Sequence, residues 1–380
     1  MPIGCWRRAP WLVAFVAAFL VAACAVQAPE TRVASMPPDM LVPAAKAGVA
    51  DGRGRFREIY CAVRNDHGRQ LPFDRPCDGD AALWRTPGEP PPTGRRVALG
   101  RSTMGLTVVM VPGLLAECFR DESTEFGDAR ANLEAWGYHT DYIQTLGRQP
   151  SEVNAAIIHD AIRAMPPQTR VVLVAHSKGT VDSLVALSAY PDLADKVVAL
   201  VSVAGAVNGS PLSDDTPDWL ADIMASTRVL ACEQGKGEET AASLRRSVRL
   251  AWFRTHSWPR SVHTYSLPAI ALPENMSAEL VPFYNDLARA DPLNDGLVIA
   301  SDAIVPRSTL LGYANADHVA VAMPFDASKS LFAATLMTHN DYPRAVLLEA
   351  AIRYVEEDLR AADSRAPAKA ASAVQAALRR

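Results

Sequence analysis

The chain has 380 residues, 49% of them hydrophobic and 21% charged, with a formal net charge of −4. That is a folded, globular composition with room for one large α/β domain or two ordinary ones. The mild acidity excludes the basic stripe of a nucleic-acid binder, and 7% aromatic residues offer no obvious surface for stacking bases or sugars.

The first segment, residues 1–23, is expected to be processed rather than folded. Arg7 and Arg8 precede an apolar run from Trp11 to Ala23. At about 13 residues it is too short to span a bilayer and has the shape of a signal-peptide core. The stretch Val21-Ala22-Ala23-Cys24 resembles the lipobox of bacterial lipoproteins. The resemblance implies cleavage before Cys24 and a lipid on that cysteine. Ala25 replaces the Asp that retains such proteins at the inner membrane, so the expected location is the outer membrane, facing the periplasm or the cell surface. The alternative is an ordinary cleaved signal with Cys24 incidental. Residues 24–53, rich in Ala, Pro and Val, are expected to be a tether.

Export leaves Cys61, Cys77, Cys118 and Cys232, an even number in an oxidising compartment. Cys61 with Cys77 is the favoured pair, being close in sequence, and such a loop contributes about 3 kcal/mol in the chain-entropy model. Cys118 with Cys232 then ties an early loop to a later insertion. Buried free thiols are the alternative. The short cysteine spacings of zinc sites are missing, so no metal site is expected.

Residues 54–100 read as an irregular extension with a proline cluster at Pro90, Pro91 and Pro92. From Leu106 the pattern becomes strand–helix alternation. Leu106 to Val111, Val171 to Ala175 and Lys196 to Val203 are apolar strand-like runs. Between them lie helical stretches from Ser151 to about Met165 and from Gly179 to Tyr190, with a shorter strand at His139 to Gln144. Continuous apolar strands alternating with amphipathic helices predict an α/β fold, a mostly parallel sheet covered on both faces. Residues 206–262 break the rhythm and are expected to be an inserted helical cap. Strand character returns at His263 to Ser266 and Thr309 to Tyr313. Arg344 to Leu359 is a strong amphipathic helix, and residues 361–380 an Ala- and Arg-rich tail.

Val171-Val172-Leu173-Val174-Ala175-His176-Ser177-Lys178-Gly179-Thr180 is a buried strand, a tight turn and a helix, with Ser177 at the apex. Ala175 and Gly179 are small enough to let the chain bend sharply. Here the sequence resembles the α/β-hydrolase family, whose G-x-S-x-G elbow it matches with Ala in the first place, and within it the bacterial lipases and esterases. The resemblance extends over about residues 106–322 and implies one hydrolase domain across 101–360. A serine needs a base, and the base an orienting acid, in the chain order Ser, Asp or Glu, His. Asn294-Asp295-Gly296-Leu297-Val298 looks like the lipase segment that carries the acid, which points to Asp295. The loop ending in Asp317-His318 lies where the family places its base, which points to His318. His339 is the chief rival base, and Asp291, Asp302 and Asp317 are rival acids. His176 flanks the serine and is expected to point away from it. His256 and His263 precede the acid and break the order.

The same resemblance places two oxyanion-hole amides, at Lys178 after the nucleophile and at Leu114 in Val111-Pro112-Gly113-Leu114-Leu115. Many relatives carry His-Gly where this chain has Pro-Gly, and the change removes a side chain that often buttresses the loop. A simple β-turn is the competing reading. Gly209-Ser210-Pro211 resembles a wall of the family's acyl pocket. The Lys178 side chain is expected to be solvated or packed. The implied activity is cleavage of lipid or small carboxylic esters through an acyl-enzyme, without a cofactor. An acyltransferase or thioesterase on the same triad is the alternative within this chemistry. A non-catalytic envelope lipoprotein on the same scaffold would require a broken triad.

Overall fold

Strand β4 (Arg170–His176) is apolar on both faces because it lies in the middle of a sheet with helices on either side. The computed structural model describes residues 48–119, 123–215, 237–326 and 337–378. The predicted signal segment, Cys24, most of the tether, Cys232 and the helical stretch expected at Trp219 to Met224 lie outside the described residues.

Seven strands form the main sheet: β1 (Ala50–Asp51), β2 (Leu106–Val111), β3 (His139–Tyr142), β4, β5 (Val197–Val203), β6 (His263–Leu267) and β8 (Thr309–Leu310), in spatial order β1-β8-β6-β5-β4-β2-β3. Every pairing in it is parallel. The short pair β7 (Ala269–Ile270) and β9 (Ala314–Asn315) stands apart, also parallel. Beyond β1, the tether predicted over 24–53 gives way to folded chain, since Ala50 and Asp51 pair with Thr309 and Leu310 at the sheet edge.

The two-residue period of a strand sends alternate side chains to opposite faces. Val172 and Val174 of β4 join Val108 and Met110 of β2 in one core, and Val171, Leu173 and Ala175 join Val109 and Val111 in the other. Helix α1 (Arg53–Asp66), helix α2 (Arg130–Ala135) and helix α9 (Arg344–Leu378) cover the first face. Helices α3 (Ser151–Ala164) and α4 (Lys178–Ala189) cover the second. Each such aliphatic residue, moved from water to full burial, contributes about 1.5–3 kcal/mol.

Helix α1 replaces the irregular start expected of the extension. Phe56, Ile59, Tyr60 and Val63 recur at helical spacing and are all fully buried in the first core. Four arginines around them, Arg53, Arg55, Arg57 and Arg64, hide that stripe in the sequence. Each is paired: Arg53 with Asp51, Arg55 with Glu58 and Glu357, Arg57 with Glu89 and Arg64 with Asp74. The segment is therefore part of the domain core.

Within the expected cap, the described residues form α5 (Pro211–Asp215), α6 (Gly237–Ser243) and α7 (Arg246–Thr255), with no strand among them. Trp252 and Phe253 of α7 pack on the second core. Helix α8 (Val281–Leu287) precedes the predicted acid loop. Among the described residues no helix is long and apolar enough to cross a membrane.

The cysteine expectation is corrected in one part. Cys61 and Cys77 lie close enough to perturb one another but are free thiols. Proximity alone does not form the bond, which also requires oxidation. Cys118 is disulfide-bonded.

If α1 belongs to the core, Phe56→Ala is expected to lower the unfolding free energy by about 3–5 kcal/mol. A urea titration at unchanged m-value measures it.

Candidate active site

The chain bends at Ser177 in a backbone conformation that side chains other than glycine rarely adopt, φ 52° and ψ −125°. The bend sits between the last residue of β4 and the first of α4. Gly179 is obligatory there: a Cβ on it would lie 2.4 Å from the carbonyl oxygens of both Val111 and Pro112, which as backbone cannot move aside. Gly113 is equally constrained, because its Cβ would come within 2.9 Å of the Ser177 Cβ. The loop after β2 therefore runs in van der Waals contact with the serine.

Three of the residues singled out in the sequence converge. His318 Nε2 is 2.8 Å from Ser177 Oγ, and His318 Nδ1 is 2.8 Å from Asp295 Oδ2. Asp295 is an acceptor only, so it takes the proton on Nδ1 and leaves Nε2 to accept from the serine hydroxyl. Asp295 and His318 are buried and Ser177 nearly so. The second oxygen of Asp295 accepts the Leu297 N–H at 3.0 Å and the Val298 N–H at 2.7 Å. Gly296, at φ 97°, makes that tight turn. The His318 N–H donates to the Asp295 carbonyl at 2.9 Å, so the two loops are also joined by backbone.

The rivals are elsewhere. His339 is exposed, and its backbone N–H meets Ser277 Oγ. His256 stacks on Trp252, and His263 pairs with Asp358. Asp291 caps the Leu293 N–H, and Asp302 pairs with Arg246. Asp317 accepts the N–H groups of Ser277, Val319 and Ala320, which shapes the loop carrying His318. Burial pushes its carboxyl above the usual range.

Of the two predicted oxyanion donors, Lys178 is the first residue of α4, so its N–H has no partner within the helix. The Leu114 N–H follows Gly113, on the loop that touches the serine, and Leu115 beyond it has φ 63°. The Lys178 side chain is fully buried and paired with Asp182 at 2.7 Å and 2.9 Å. Asn154 donates to the same carboxylate at 2.7 Å, and accepts the Leu146 N–H at 2.9 Å. The ion pair thus anchors the start of α4 to α3 and to the loop after β3. Removing one partner would leave a buried charge uncompensated. Ser210, expected at a pocket wall, donates to the Leu297 carbonyl at 2.7 Å and so braces the acid loop.

Sequence reasoning missed Glu125, Asn154, Asp182 and Arg344. Arg344, fully buried, donates to the carbonyls of Ala320 at 2.6 Å and Asn340 at 2.9 Å and pairs with Asp128 at 3.0 Å, which secures the His318 loop from below. Glu125, Asn154 and Arg344 take partners from other segments, and Asp182, although it pairs with Lys178 one helical turn away, shows its link to Asn154 only in the fold. Among the described residues no group of three or more His, Cys, Asp or Glu side chains converges as a metal site.

Glu279 sits near Asp317, and neither of its carboxylate oxygens has a partner on another described residue. Burial, reinforced by Asp317, raises it from an ordinary value near 4.5 to about 7. A raised folded-state pKa means that folding takes up a proton between those values. The favourable contribution is present below about pH 4.5 and is lost as the pH rises through 7. Glu279→Gln is therefore expected to raise the denaturation midpoint at pH 8 and to leave it unchanged at pH 4.

No protein-family model matches the chain, and no curated protein sequence matches it. Among solved structures, the metagenomic carboxyl esterase MGS0156 is 52% identical to it, with a TM-score of 0.81 over 90% of this chain and 99% of that one. The mature form of the Bacillus licheniformis lipase BlEst2 is 23% identical, with a TM-score of 0.44 over 59% of this chain and 89% of that one.

Proposed function

The chain belongs to the carboxyl esterase family of the α/β-hydrolase fold, and from that premise we propose that it hydrolyses carboxylic esters with Ser177 as nucleophile, His318 as general base and acid, and Asp295 as the orienting carboxylate. The observation that carries this is the unbroken chain of two 2.8 Å contacts from Ser177 Oγ through the His318 ring to Asp295. His318 Nε2 takes the hydroxyl proton as Oγ attacks the ester carbonyl carbon. The developing oxyanion is received by the N–H groups of Leu114 and Lys178. Asp295, held by the Leu297 and Val298 amides, keeps the imidazole tautomer fixed and stabilises its cation. His318 then hands the proton to the departing alkoxide, leaving an acyl-enzyme. Water, deprotonated by His318 in turn, releases the acid and restores Ser177.

An apolar acyl or alcohol portion fits the surroundings. Leu114 is exposed beside the serine. Met323 and Phe325, with Phe119, Val319 and Met337 against them, form an apolar cluster next to the His318 loop. Lipid or small hydrophobic esters are the substrates such walls favour. We further propose that the protein is exported and anchored through Cys24, a reading that rests on the short apolar run from Trp11 to Ala23 and the lipobox-like Val21-Ala22-Ala23-Cys24.

A fluorophosphonate is expected to label the protein at Ser177, with labelling and ester hydrolysis both lost in Ser177→Ala. Label retained in that variant sinks the assignment. Asp295→Asn is expected to lower kcat by about 10⁴-fold while leaving the fold intact, because the amide selects the wrong imidazole tautomer. For the anchor, cells expressing the chain and fed radioactive palmitate should yield labelled protein, and Cys24→Ser should yield none.

A further inference from the structure

Glu125 is a buried carboxylate that lies across the C-terminal ends of three adjacent strands, and no step of the proposed reaction uses it. From β2, the Gly113 N–H donates to its Oε1 at 3.1 Å. From β3, the Tyr142 hydroxyl donates to its Oε2 at 3.0 Å. From β4, His176 Nδ1 stands 3.9 Å from Oε1, too far for a hydrogen bond, and has no partner among the described residues. The other nitrogen of His176, Nε2, donates to the His318 carbonyl at 3.0 Å, and the two imidazoles pack with ring centres 4.9 Å apart.

The backbone around Glu125 is held as firmly as its side chain. Phe126 adopts φ 55°, its ring is buried in the first core, and its N–H donates to the Ala322 carbonyl at 2.7 Å. Ala322 belongs to the segment that follows His318. One residue therefore touches the oxyanion loop through its side chain and the histidine loop through the adjoining amide.

The oxyanion loop needs such a hold. Gly113 has no side chain with which to anchor itself, and the contact with Ser177 forbids one. Pro112 before it has no N–H to offer. The bond from Gly113 to Glu125 fixes the peptide plane that precedes the one carrying the Leu114 N–H. A donor pointed at a developing charge acts only if it is oriented before the charge appears.

We propose that Glu125 is a positioning residue for ester hydrolysis, fixing the oxyanion loop at Gly113 and, through the adjoining Phe126 amide, setting it in register with His318. The inference rests on the proposed function of the Ser177 site. His176, between Glu125 and the His318 loop, is disfavoured as a cation: burial holds its imidazole below the usual range, His318 reinforcing this and Glu125 opposing it. A neutral His176 bonds the His318 carbonyl without adding positive charge beside the imidazole that must become a cation.

The test is steady-state kinetics on a p-nitrophenyl ester with the full chain and four variants. Glu125→Ala removes the acceptor and is expected to lower kcat by about 10- to 100-fold, the scale of a misplaced donor, with KM changed less than about threefold. Glu125→Gln keeps an oxygen for the Gly113 N–H and an amide for the Tyr142 hydroxyl, and should retain kcat within about fivefold. Tyr142→Phe, which keeps the ring and removes the hydroxyl that donates to Glu125, should lower kcat about threefold at constant KM; it carries the test if Glu125→Ala does not fold. Parent-like kcat in Glu125→Ala, or in Tyr142→Phe where it stands in, overturns the inference, as does a loss in Glu125→Gln equal to that in Glu125→Ala. Ser177→Ala separates the two readings. If it stays active, the proposed function fails; if it is dead while Glu125→Ala is fully active, only the positioning role fails.

Discussion

The site depends on a backbone that is bent against its own preference. Ser177 in its left-handed conformation costs on the order of 1–3 kcal/mol and persists only because the surroundings over-determine it. Strand β4 enters the bend paired on both sides, with β2 and β5, and α4 leaves it packed between sheet and α3. The ion pair of Lys178 with Asp182 holds the first turn of α4 down, and Gly179 allows the end of β2 to pass at backbone contact. Relaxing the bend would break the sheet centre, so the hydroxyl stays raised toward His318.

Electrostatics around the bend follow one rule: charges taken out of water are given specific partners. Asp295 has two amides and an imidazole, Asp182 an ammonium and an amide, Glu125 an amide and a phenol. Several of these bonds run from carboxylate to backbone N–H on loops that the sheet alone does not fix. Carboxylates thereby do for loops what strand pairing does for the core. Glu279 departs from the rule, with a buried carboxyl and no partner on another described residue, and its raised pKa is the consequence.

Much was legible in the chain itself because the relevant signals are local. The run Val171 to Ala175 is apolar throughout since both faces of β4 are covered, and the small residues around Ser177 announce the bend. Asn294-Asp295-Gly296 and Asp317-His318 could be placed by likeness to related loops. The helix at Arg53–Asp66 was missed because its apolar stripe is interrupted by arginines, whose partners, such as Glu89 and Glu357, lie in other segments. Glu125 was missed for the same reason. Its surroundings in the sequence carry no pattern, and its meaning comes from three strand ends that only the sheet order brings side by side.

The sequence by itself determined most of the strands and helices around the sheet centre and the sharpness of the turn at Ser177. Hydrophobic period, glycine placement and strand-to-helix transitions act over a few residues and so are written in neighbouring letters. Tertiary structure alone decided that His318 is the histidine that meets Ser177, and that Glu125 is the buried carboxylate bonded to the loop after β2. Those are distances between residues up to 141 positions apart in the chain. They exist only once the parallel strands lie together and set their C-terminal ends against one another.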